Sequence, residues 1–246
     1  TPFRIGRIKG YTRFLLNYRT DTYSKDLTTD MVQRNLLLAA PLEKIRPIQY
    51  TKEFKLYLTD REKEDFRYYM EKEGIDFAHP VLLIGVTTKL IHKKWNTEFM
   101  IATLKRILEE HKDIQMIFNY APGYEEEDAR NIYKELGCPE RIKIDIQASS
   151  LRQLAALCAN CSFYFGNEGG ARHIAQALGV PSFAIYSPSA SKSMWFPANS
   201  VLAEGISPDD ILSPEQQATL TYEERFALIT PEKVYGQLTS ILRQLS

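Results

Sequence analysis

The sequence contains few cysteines, no excess of positive charge and no long apolar run. Three cysteines among 246 residues are too few for a disulfide framework, which fits a reducing compartment. Lys and Arg number 31, as do Asp and Glu, so the formal net charge is zero and nucleic-acid binding through phosphate neutralisation is not expected. Because no apolar run approaches the ~20 residues of a membrane span and no leader is visible, we expect an ordinary cytoplasmic globular protein.

Several motifs of common enzyme classes are also missing. The sequence has no G-x-x-x-x-G-K-[ST], G-x-G-x-x-G, G-x-S-x-G or H-E-x-x-H motif. It lacks an Asp-X-Asp triplet, so a metal-bridged sugar nucleotide would lack its usual ligands. Cys158 and Cys161 form a C-x-x-C pattern, but Cys158 ends a predicted helix, whereas a redox pair needs its first Cys at a helix start. Cys138 is the only other cysteine, and no second Cys pair or His pair exists to complete a zinc site, so buried structural cysteines are favoured.

Short apolar runs alternate with helical patterns between Val81 and Ser187, which is typical of βα units around a parallel sheet. The predicted strands are Val81–Thr87, Ile114–Tyr120, Arg141–Ile146, Phe163–Gly166 and Ser182–Ser187. The predicted helices between them are Thr97–Glu110, Glu125–Leu136, Leu151–Ala159 and Gly170–Leu178. Together they predict half of a doubly wound α/β protein.

The flanking segments are less regular. We predict a helix from Thr29 to Ala39 that ends at Pro41, a strand at Phe54–Leu58, a helix that Asp60 caps and that ends at Gly74, and a C-terminal helix from Pro231 to Leu245 with Thr230 as its N-cap. The predicted domain boundary is His79–Pro80, which divides the chain into residues 1–78 and 79–246. Residues 1–78 are too few for a second full α/β domain, so we expect that its front is missing.

Three predicted strand ends carry unusual residues, and ligands of open parallel sheets bind at such ends. The first is Thr87-Thr88, followed by the basic run His92-Lys93-Lys94. The second is Ala121-Pro122-Gly123, which leads into Glu125 and Glu126. The third is the stretch Glu168-Gly169-Gly170-Ala171-Arg172-His173, which opens a helix.

Each strand end has a functional and a plainer interpretation. Paired glycines at a helix start suit anion binding, but a tight turn with a solvated Glu168 and a core His173 is equally favoured. The basic run is either a phosphate contact or a solvated loop. The acidic residues at Glu125 either bind a ribose or simply stabilise the first helical turn, and spacing alone favours the second.

The order of these motifs carries a family resemblance. The family's Lys-x-Trp-Pro motif is matched by Lys93-Lys94-Trp95-Asn96, its Ala-Pro turn and glutamate by Ala121-Pro122 with Glu125 or Glu126, and its Ser-Leu helix start by Ser150-Leu151. The run from Gly166 to Pro181 is similar to Asp-(Thr/Ser)-Gly-x-x-His-x-Ala-Ala-x-x-x-Pro, with Glu168 for Asp and Gly169 for Thr or Ser. On these motifs the chain resembles glycosyltransferase family 9, the ADP-heptose:lipopolysaccharide heptosyltransferases.

The resemblance implies a fold and an activity. The expected fold is α/β and GT-B-like: a complete C-terminal doubly wound, Rossmann-like domain that binds the donor, and a partial N-terminal, acceptor-side domain. The C-terminal helix at residues 231–245 is expected to pack back on the N-terminal part. The implied reaction is an inverting, metal-independent transfer of a heptose-like sugar from a nucleotide diphosphate to a lipopolysaccharide hydroxyl. The carboxylate that deprotonates the acceptor is not found in this chain.

The resemblance also implies roles for individual residues. Lys93 and Glu168 are the expected catalytic residues, with Lys93 stabilising the leaving diphosphate and Glu168 receiving hydroxyls of the donor sugar. The other implied donor contacts are the ribose contact of Glu125 or Glu126 and the contacts of Thr87, Thr88, Ser149, Gly169, Gly170 and His173. Because Glu168 extends the usual Asp by one methylene, about 1.5 Å, a donor other than the usual heptose is suggested.

The implied partners are a nucleotide-sugar donor, an ADP-sugar, and a lipopolysaccharide or lipid A-core acceptor. No cofactor, metal or nucleic acid is implied. A basic N-terminal face (Arg4, Arg7, Lys9, Arg13 and Arg19) suggests a peripheral contact with the inner face of the inner membrane, and a solvated chain end is the alternative. Two rival functions stay open: a non-catalytic sugar-nucleotide-binding module and another GT-B enzyme, such as a nucleotide-sugar epimerase.

Overall fold

The computed structural model of the protein describes residues 3–8, 10, 14–20, 30–195 and 203–245. The chain forms two compact units, one of Thr1–Phe54 with Ser191–Ser200 and a larger one of Lys55–Ala190 with Val201–Ser246. The predicted domain boundary between residues 78 and 79 stays a prediction.

The described strands are β1 (Ile5–Arg7), β2 (Tyr18–Thr20), β3 (Val81–Gly85), β4 (Gln115–Phe118), β5 (Ile142–Lys143), β6 (Phe163–Asn167), β7 (Ser182–Ile185) and β8 (Ala203–Ile206). The α-helices are α1 (Met31–Leu36), α2 (Asp60–Lys72), α3 (Thr97–Glu110), α4 (Tyr124–Glu135), α5 (Leu151–Ala159), α6 (Gly170–Leu178), α7 (Lys192–Trp195), α8 (Pro214–Gln217), α9 (Tyr222–Ala227) and α10 (Pro231–Leu245). Short 3₁₀ helices cover Leu37–Lys44, Ile91–Lys93 and Pro208–Asp210.

The smaller unit contains a two-stranded parallel sheet of β1 and β2, with Ile5 opposite Tyr18. Of the predicted basic face, Arg4 and Arg19 are exposed, whereas Arg7 donates a hydrogen bond to Asn35. Lys9 and Arg13 lie outside the described residues. The membrane contact of this face therefore stays a prediction.

The larger unit is built on six parallel strands in the order β5-β4-β3-β6-β7-β8. The chain starts in the centre at β3, adds β4 and β5 on one side, returns to the other side of β3 with β6, and continues outward with β7 and β8. This is the strand order of a doubly wound α/β fold. The predicted parallel α/β architecture is confirmed.

Strand β3 shows why this sheet is covered on both faces. All five of its residues are buried and apolar or glycine, as expected of a central parallel strand. Because successive side chains point to opposite faces, Leu82 and Ile84 join the core beneath α3 and α10, while Val81 and Leu83 join the core beneath α2, α5 and α6.

Four predicted helices agree residue by residue with the structure, namely α3, α5, α6 and α10. Each combines an apolar stripe with a clear boundary residue. The α6 helix, for example, ends at Gly179, whose φ of +76° is the left-handed conformation of a helix C-cap. α4 is shifted by a single residue at each end, to Tyr124–Glu135.

Four of the five strands predicted between Val81 and Ser187 are longer than the observed ones, whereas β6 continues one residue past its predicted end, to Asn167. Thr87, Tyr120 and Ser187 follow their strands instead of lying in them, because no neighbouring strand extends far enough to pair with them. The prediction of a strand at Phe54–Leu58 is wrong. Its apolar residues do alternate, but in the larger unit Leu56 donates its N–H to the carbonyl oxygen of Ala177, in the last turn of helix α6, instead of pairing with a strand.

Two helix boundaries before β3 also differ from the prediction. Of the helix predicted from Thr29 to Ala39, Thr29 lies outside the described residues, α1 ends at Leu36, and a 3₁₀ helix continues through Pro41, whose missing N–H excludes an α-helical bond there. The N-cap of α2 is Thr59 and not Asp60, because Thr59 and Glu62 form a reciprocal capping box.

Strand β8 was not predicted, since Glu204 and Gly205 interrupt its apolar pattern. Gly205 is required there because a Cβ at this position would lie 2.5 Å from the carbonyl oxygen of Ala184 on β7. The feature that distinguishes this edge strand is therefore the close approach of its backbone to β7, and not an apolar pattern.

We predict opposite effects for two glycine-to-alanine substitutions. Gly166 has a φ of +142°, and a Cβ there would overlap the carbonyl oxygen of Gly85, so Gly166→Ala should lower the free energy of unfolding by about 2–5 kcal/mol. Gly236 lies exposed within α10, with no atom within 4 Å of an added Cβ, so Gly236→Ala should raise it by about 0.5–1 kcal/mol. Urea unfolding of both variants checks this, and a harmless Gly166→Ala would contradict the close β3–β6 approach.

Candidate functional site

An open cleft of about 780 Å³ lies at the carboxyl ends of β3, β4 and β6. Strands β3 and β6 are the neighbours at which the strand order reverses, which is where ligands bind in open parallel sheets. Eight of the ten predicted donor-site residues line this cleft: Thr87, Thr88, Lys93, Glu125, Ser149, Glu168, Gly169 and Gly170. The other two, Glu126 and His173, do not line it.

The cleft is framed by the buried side chain of Asn167, the last residue of β6. Its amide nitrogen donates to the carbonyl oxygens of Gly85 at 2.9 Å and Val86 at 3.2 Å. Its Oδ1 accepts from the backbone N–H of Trp95 at 2.7 Å. One amide therefore holds the ends of β3 and β6 and the loop that carries Lys93 in a single arrangement.

Trp95 anchors the loop after Lys93. Its indole is 1% exposed, and its Nε1 donates to the carbonyl oxygen of Ile229 at 2.9 Å. Asn96, which stands where the family motif has proline, caps helix α3 by accepting a hydrogen bond from the N–H of Phe99 at 3.1 Å. The departure from the motif therefore keeps a helix start at the same place.

Lys93 and Glu168 form an ion pair that lines the cleft, and His173, which does not line it, contacts the same carboxylate. Lys93 Nζ donates to Glu168 Oε2 at 2.9 Å, and His173 Nε2 lies 3.6 Å from Glu168 Oε1. On the far side of the ring, Nη1 of the fully buried Arg172 lies 3.2 Å from His173 Nδ1. Because a guanidinium only donates hydrogen bonds, Nδ1 takes part in this contact as an acceptor, and Nε2 is the ring nitrogen that faces Glu168.

The carboxylate of Glu168 stays charged although its side chain is only 6% exposed. Burial by itself raises the pKa of Glu168, but the contacts with His173 and Lys93 outweigh burial and bring the pKa below its ordinary value. At neutral pH, Lys93 is therefore paired with an ionised carboxylate that belongs to the protein itself.

Gly169 and Gly170 form the start of helix α6 at the floor of the cleft. Gly169 is extended, with φ 179°, so this turn does not require glycine for its backbone conformation. An added Cβ at either position would meet no protein atom within 4 Å. The absence of side chains instead leaves the first N–H groups of α6 open to the cleft.

Glu125 and Glu126 face different surroundings, although spacing left them as alternatives. Glu125 is buried in the cleft wall, where its Oε2 accepts a hydrogen bond from Thr87 Oγ1 at 3.1 Å. Glu126 instead pairs along α4 with Arg130 at 3.0 Å. Of the two carboxylates, the structure brings only Glu125 to the cleft.

The remaining predicted residues belong to the rim. Tyr124 donates its hydroxyl hydrogen to the carbonyl oxygen of Thr88 at 2.9 Å, which ties the β3 loop to helix α4. Ser149 Oγ donates to Gln153 Oε1 at 2.7 Å, while Ser150 caps α5. Ser149 thus lies at the cleft with its hydroxyl engaged by the first turn of α5.

Asn167, Tyr120 and Gln147 are among the polar cleft residues to which sequence reasoning gave no role at the site. Tyr120 donates its hydroxyl hydrogen to the carbonyl oxygen of Ile144 at 2.9 Å. Gln147 Nε2 donates to the same oxygen at 3.0 Å and to that of Phe118 at 2.9 Å. The sequence indicates only that these residues lie at or after a strand end. Many residues share that location, so it does not identify a site residue without the tertiary contacts.

The interpretation of Cys158 and Cys161 as buried structural residues is consistent with the structure. Both are buried, and burial raises the pKa of Cys158 to about 12, so its thiol is not a ready nucleophile. In the part of the chain that the structure describes, no three His, Cys, Asp or Glu side chains cluster as metal ligands would. Within the same described ranges, no helix combines the length and apolar character needed to cross a bilayer.

Comparison with known proteins identifies relatives. The family model of glycosyltransferase family 9 (heptosyltransferase) matches residues 1–223. Among solved structures, E. coli ADP-heptose lps heptosyltransferase II matches with a TM-score of 0.68 at 21% identity, over 99% of this chain and 70% of that chain. A family 9 glycosyl transferase from Veillonella parvula DSM 2008 matches with a TM-score of 0.71 at 14% identity, over 99% and 68%. No curated protein matches the chain.

A third structure, E. coli heptosyltransferase WaaC with ADP-2-deoxy-2-fluoro heptose, has a TM-score of 0.55 at 14% identity, over 94% of this chain and 61% of that chain. At these identities the structures show the fold, which is α/β and GT-B-like as predicted. The family model extends over most of the sequence. The chain belongs to glycosyltransferase family 9.

Proposed function

We propose that the chain binds a nucleotide-diphosphate sugar, an ADP-sugar, and transfers its sugar to a hydroxyl of the lipopolysaccharide core. The observation that carries this proposal is the cleft itself. At the point where the strand order reverses, it combines a lysine, an open helix start and a buried carboxylate. One of the similar structures contains ADP-2-deoxy-2-fluoro heptose.

The diphosphate is proposed to lie between Lys93 and the start of α6. Lys93 supplies a positive charge, and Gly169 and Gly170 allow the phosphate oxygens to approach the first N–H groups of the helix. Thr88 adds a hydroxyl group from the loop after β3, whereas Thr87 donates its hydroxyl hydrogen to Glu125. The developing charge on the leaving diphosphate is thereby stabilised by the chain's own donors, which supports a metal-independent reaction.

The nucleoside is proposed to contact the α4 side of the cleft. Glu125 has a buried carboxylate whose Oε2 is engaged by Thr87, so its other oxygen is suited to the two adjacent ribose hydroxyls. Ser149, which also lines the cleft, is proposed as a further donor contact. Glu126, which pairs with Arg130, is not part of this proposal.

The proposed reaction is an inverting substitution. The acceptor oxygen attacks the anomeric carbon, the bond to the diphosphate breaks with its electron pair going to the phosphate oxygen, and a base takes the acceptor proton. Lys93 and Glu168 act at the donor side. No residue of this chain is assigned as the base. The proposed setting is the cytoplasm.

A non-catalytic sugar-nucleotide-binding module is the second candidate. Two observations favour it: Lys93 is already paired with Glu168, and Gly169 removes the hydroxyl that the family signature has at that position. Both functions require the donor cleft, and they differ only in turnover.

A donor screen followed by a transfer assay separates the candidates. We expect calorimetry to detect binding of ADP and of ADP-sugars. With an ADP-sugar and a lipopolysaccharide core acceptor, we expect the full-length protein to release ADP. ADP binding without transfer to any core acceptor would favour the module. A preference for UDP-sugars without ADP-sugar binding would point to another GT-B enzyme.

Substitution of Lys93 tests the diphosphate contact. Lys93→Ala should weaken ADP binding by ~1.5–3 kcal/mol, since a charge-assisted hydrogen bond is lost. Lys94→Ala is the matched control, because Lys94 pairs with Asp128 at 2.7 Å and does not line the cleft. Calorimetric titration with ADP gives the comparison, and equal affinities of the two variants would remove Lys93 from the site.

Substitution of Gly170 tests the open helix start. Gly170→Ala should leave the free energy of unfolding unchanged or raise it by up to ~1 kcal/mol, since no protein atom opposes the added methyl. The methyl should still weaken ADP binding by ~1–3 kcal/mol, because it occupies space proposed for the phosphates. Gly236→Ala in α10 is the control, and unaltered ADP affinity of Gly170→Ala would argue against phosphates at this position.

A further inference from the structure

We propose that Glu168 makes the cleft distinguish a diphosphate that carries a sugar from one that ends in a free phosphate, and that it favours the sugar ester. The inference deepens the proposed function and rests on it. It concerns the difference in affinity between donor and product rather than the presence of a donor site.

The ion pair between Lys93 and Glu168 is the first observation. Nζ and Oε2 are 2.9 Å apart, and the two side chains are 23% and 6% exposed. The lysine proposed to bind the diphosphate is thus already neutralised by an internal carboxylate. A diphosphate that contacts Lys93 from the cleft comes within a few ångströms of Glu168, in surroundings that screen charge less than water does.

The second observation is that the carboxylate is held in place. His173 lies 3.6 Å from its other oxygen, and Arg172, 3.2 Å from His173 Nδ1, sets the ring orientation. Gly169 next to Glu168 offers no hydroxyl that could separate the carboxylate from a phosphate. Glu168 therefore stays a fixed negative charge beside the proposed diphosphate position.

Donor and product differ in charge and in hydrogen-bonding groups at that position. A terminal phosphate loses its second proton with a pKa near ~6, so free ADP carries about one more negative charge at pH 8 than a diphosphate ester. Its oxygens accept hydrogen bonds, as does an ionised carboxylate, and the two repel each other. Sugar hydroxyls instead donate to a carboxylate.

The reaction converts the favoured ligand into the disfavoured one. When the bond between the anomeric carbon and the diphosphate breaks, the electron pair stays on the phosphate oxygen, and the product gains the charge that Glu168 opposes. The same carboxylate that accepts hydrogen bonds from the donor sugar thereby promotes release of the nucleotide.

Calorimetric titrations with ADP and ADP-glucose at pH 8 test the proposal. Glu168→Gln, which keeps the shape and removes the charge, should bind ADP about tenfold more tightly and change ADP-glucose affinity less than threefold, as removal of one repulsive charge pair at this range predicts. Glu127→Gln is the matched control, since Glu127 is an exposed carboxylate on the first turn of α4. It should leave the ratio of the two affinities unchanged.

A ligand pair tests the same point on the unaltered protein, so the proposal does not depend on folding of a variant. ADP β-methyl ester lacks both the sugar and the additional charge, and it should bind several-fold more tightly than ADP. Equal or weaker binding of the ester, or unchanged ADP affinity in Glu168→Gln, would overturn the role of Glu168 while leaving the donor site intact. Absence of binding of all three nucleotides to the unaltered protein would instead overturn the proposed function together with this inference.

Discussion

The close approach of strands β3 and β6 is the constraint on which the site depends. The two strands pair along four residues, from Leu82 opposite Phe163 to Gly85 opposite Gly166. At Gly85 a side chain would overlap the Tyr164 hydroxyl, which itself donates to the carbonyl oxygen of Asn167 at 2.6 Å. Because both strands end together at this point, the loop after β3 and the helix after β6 open into the same cleft.

The charges of the cleft follow from this geometry. Asn167 holds the Trp95 backbone, and Lys93, two residues before Trp95, is thereby brought to Glu168, which is 75 residues away from it in sequence. A buried ion pair of this kind is weak evidence for stability, since desolvation offsets much of the attraction. Its position beside an open helix start gives it a more specific consequence, because any anionic ligand must share Lys93 with Glu168.

The sequence alone was sufficient for the parts of the fold that depend on local patterns. Helices α3, α5, α6 and α10 combine an apolar stripe with a distinct end signal, and the fully apolar β3 indicates a central parallel strand. Strand ends, β8 and the coil at Phe54–Leu58 depend instead on whether a partner strand is present. No local pattern contains that information, so these were the elements that the prediction missed or misplaced.

The same distinction applies to the site. Strand-end motifs together with the family resemblance located eight cleft residues, and the carboxyl ends of neighbouring parallel strands meet at one edge of the sheet. Spacing could not separate Glu125 from Glu126, since the two are consecutive and only the packing of α4 decides which carboxylate is buried. Nor could it show that Gly169 is extended, or that Glu168 reaches Lys93. Both observations bear on the role of this turn. Its glycines leave space for a ligand, and its carboxylate, as we propose, limits which anions bind in that space.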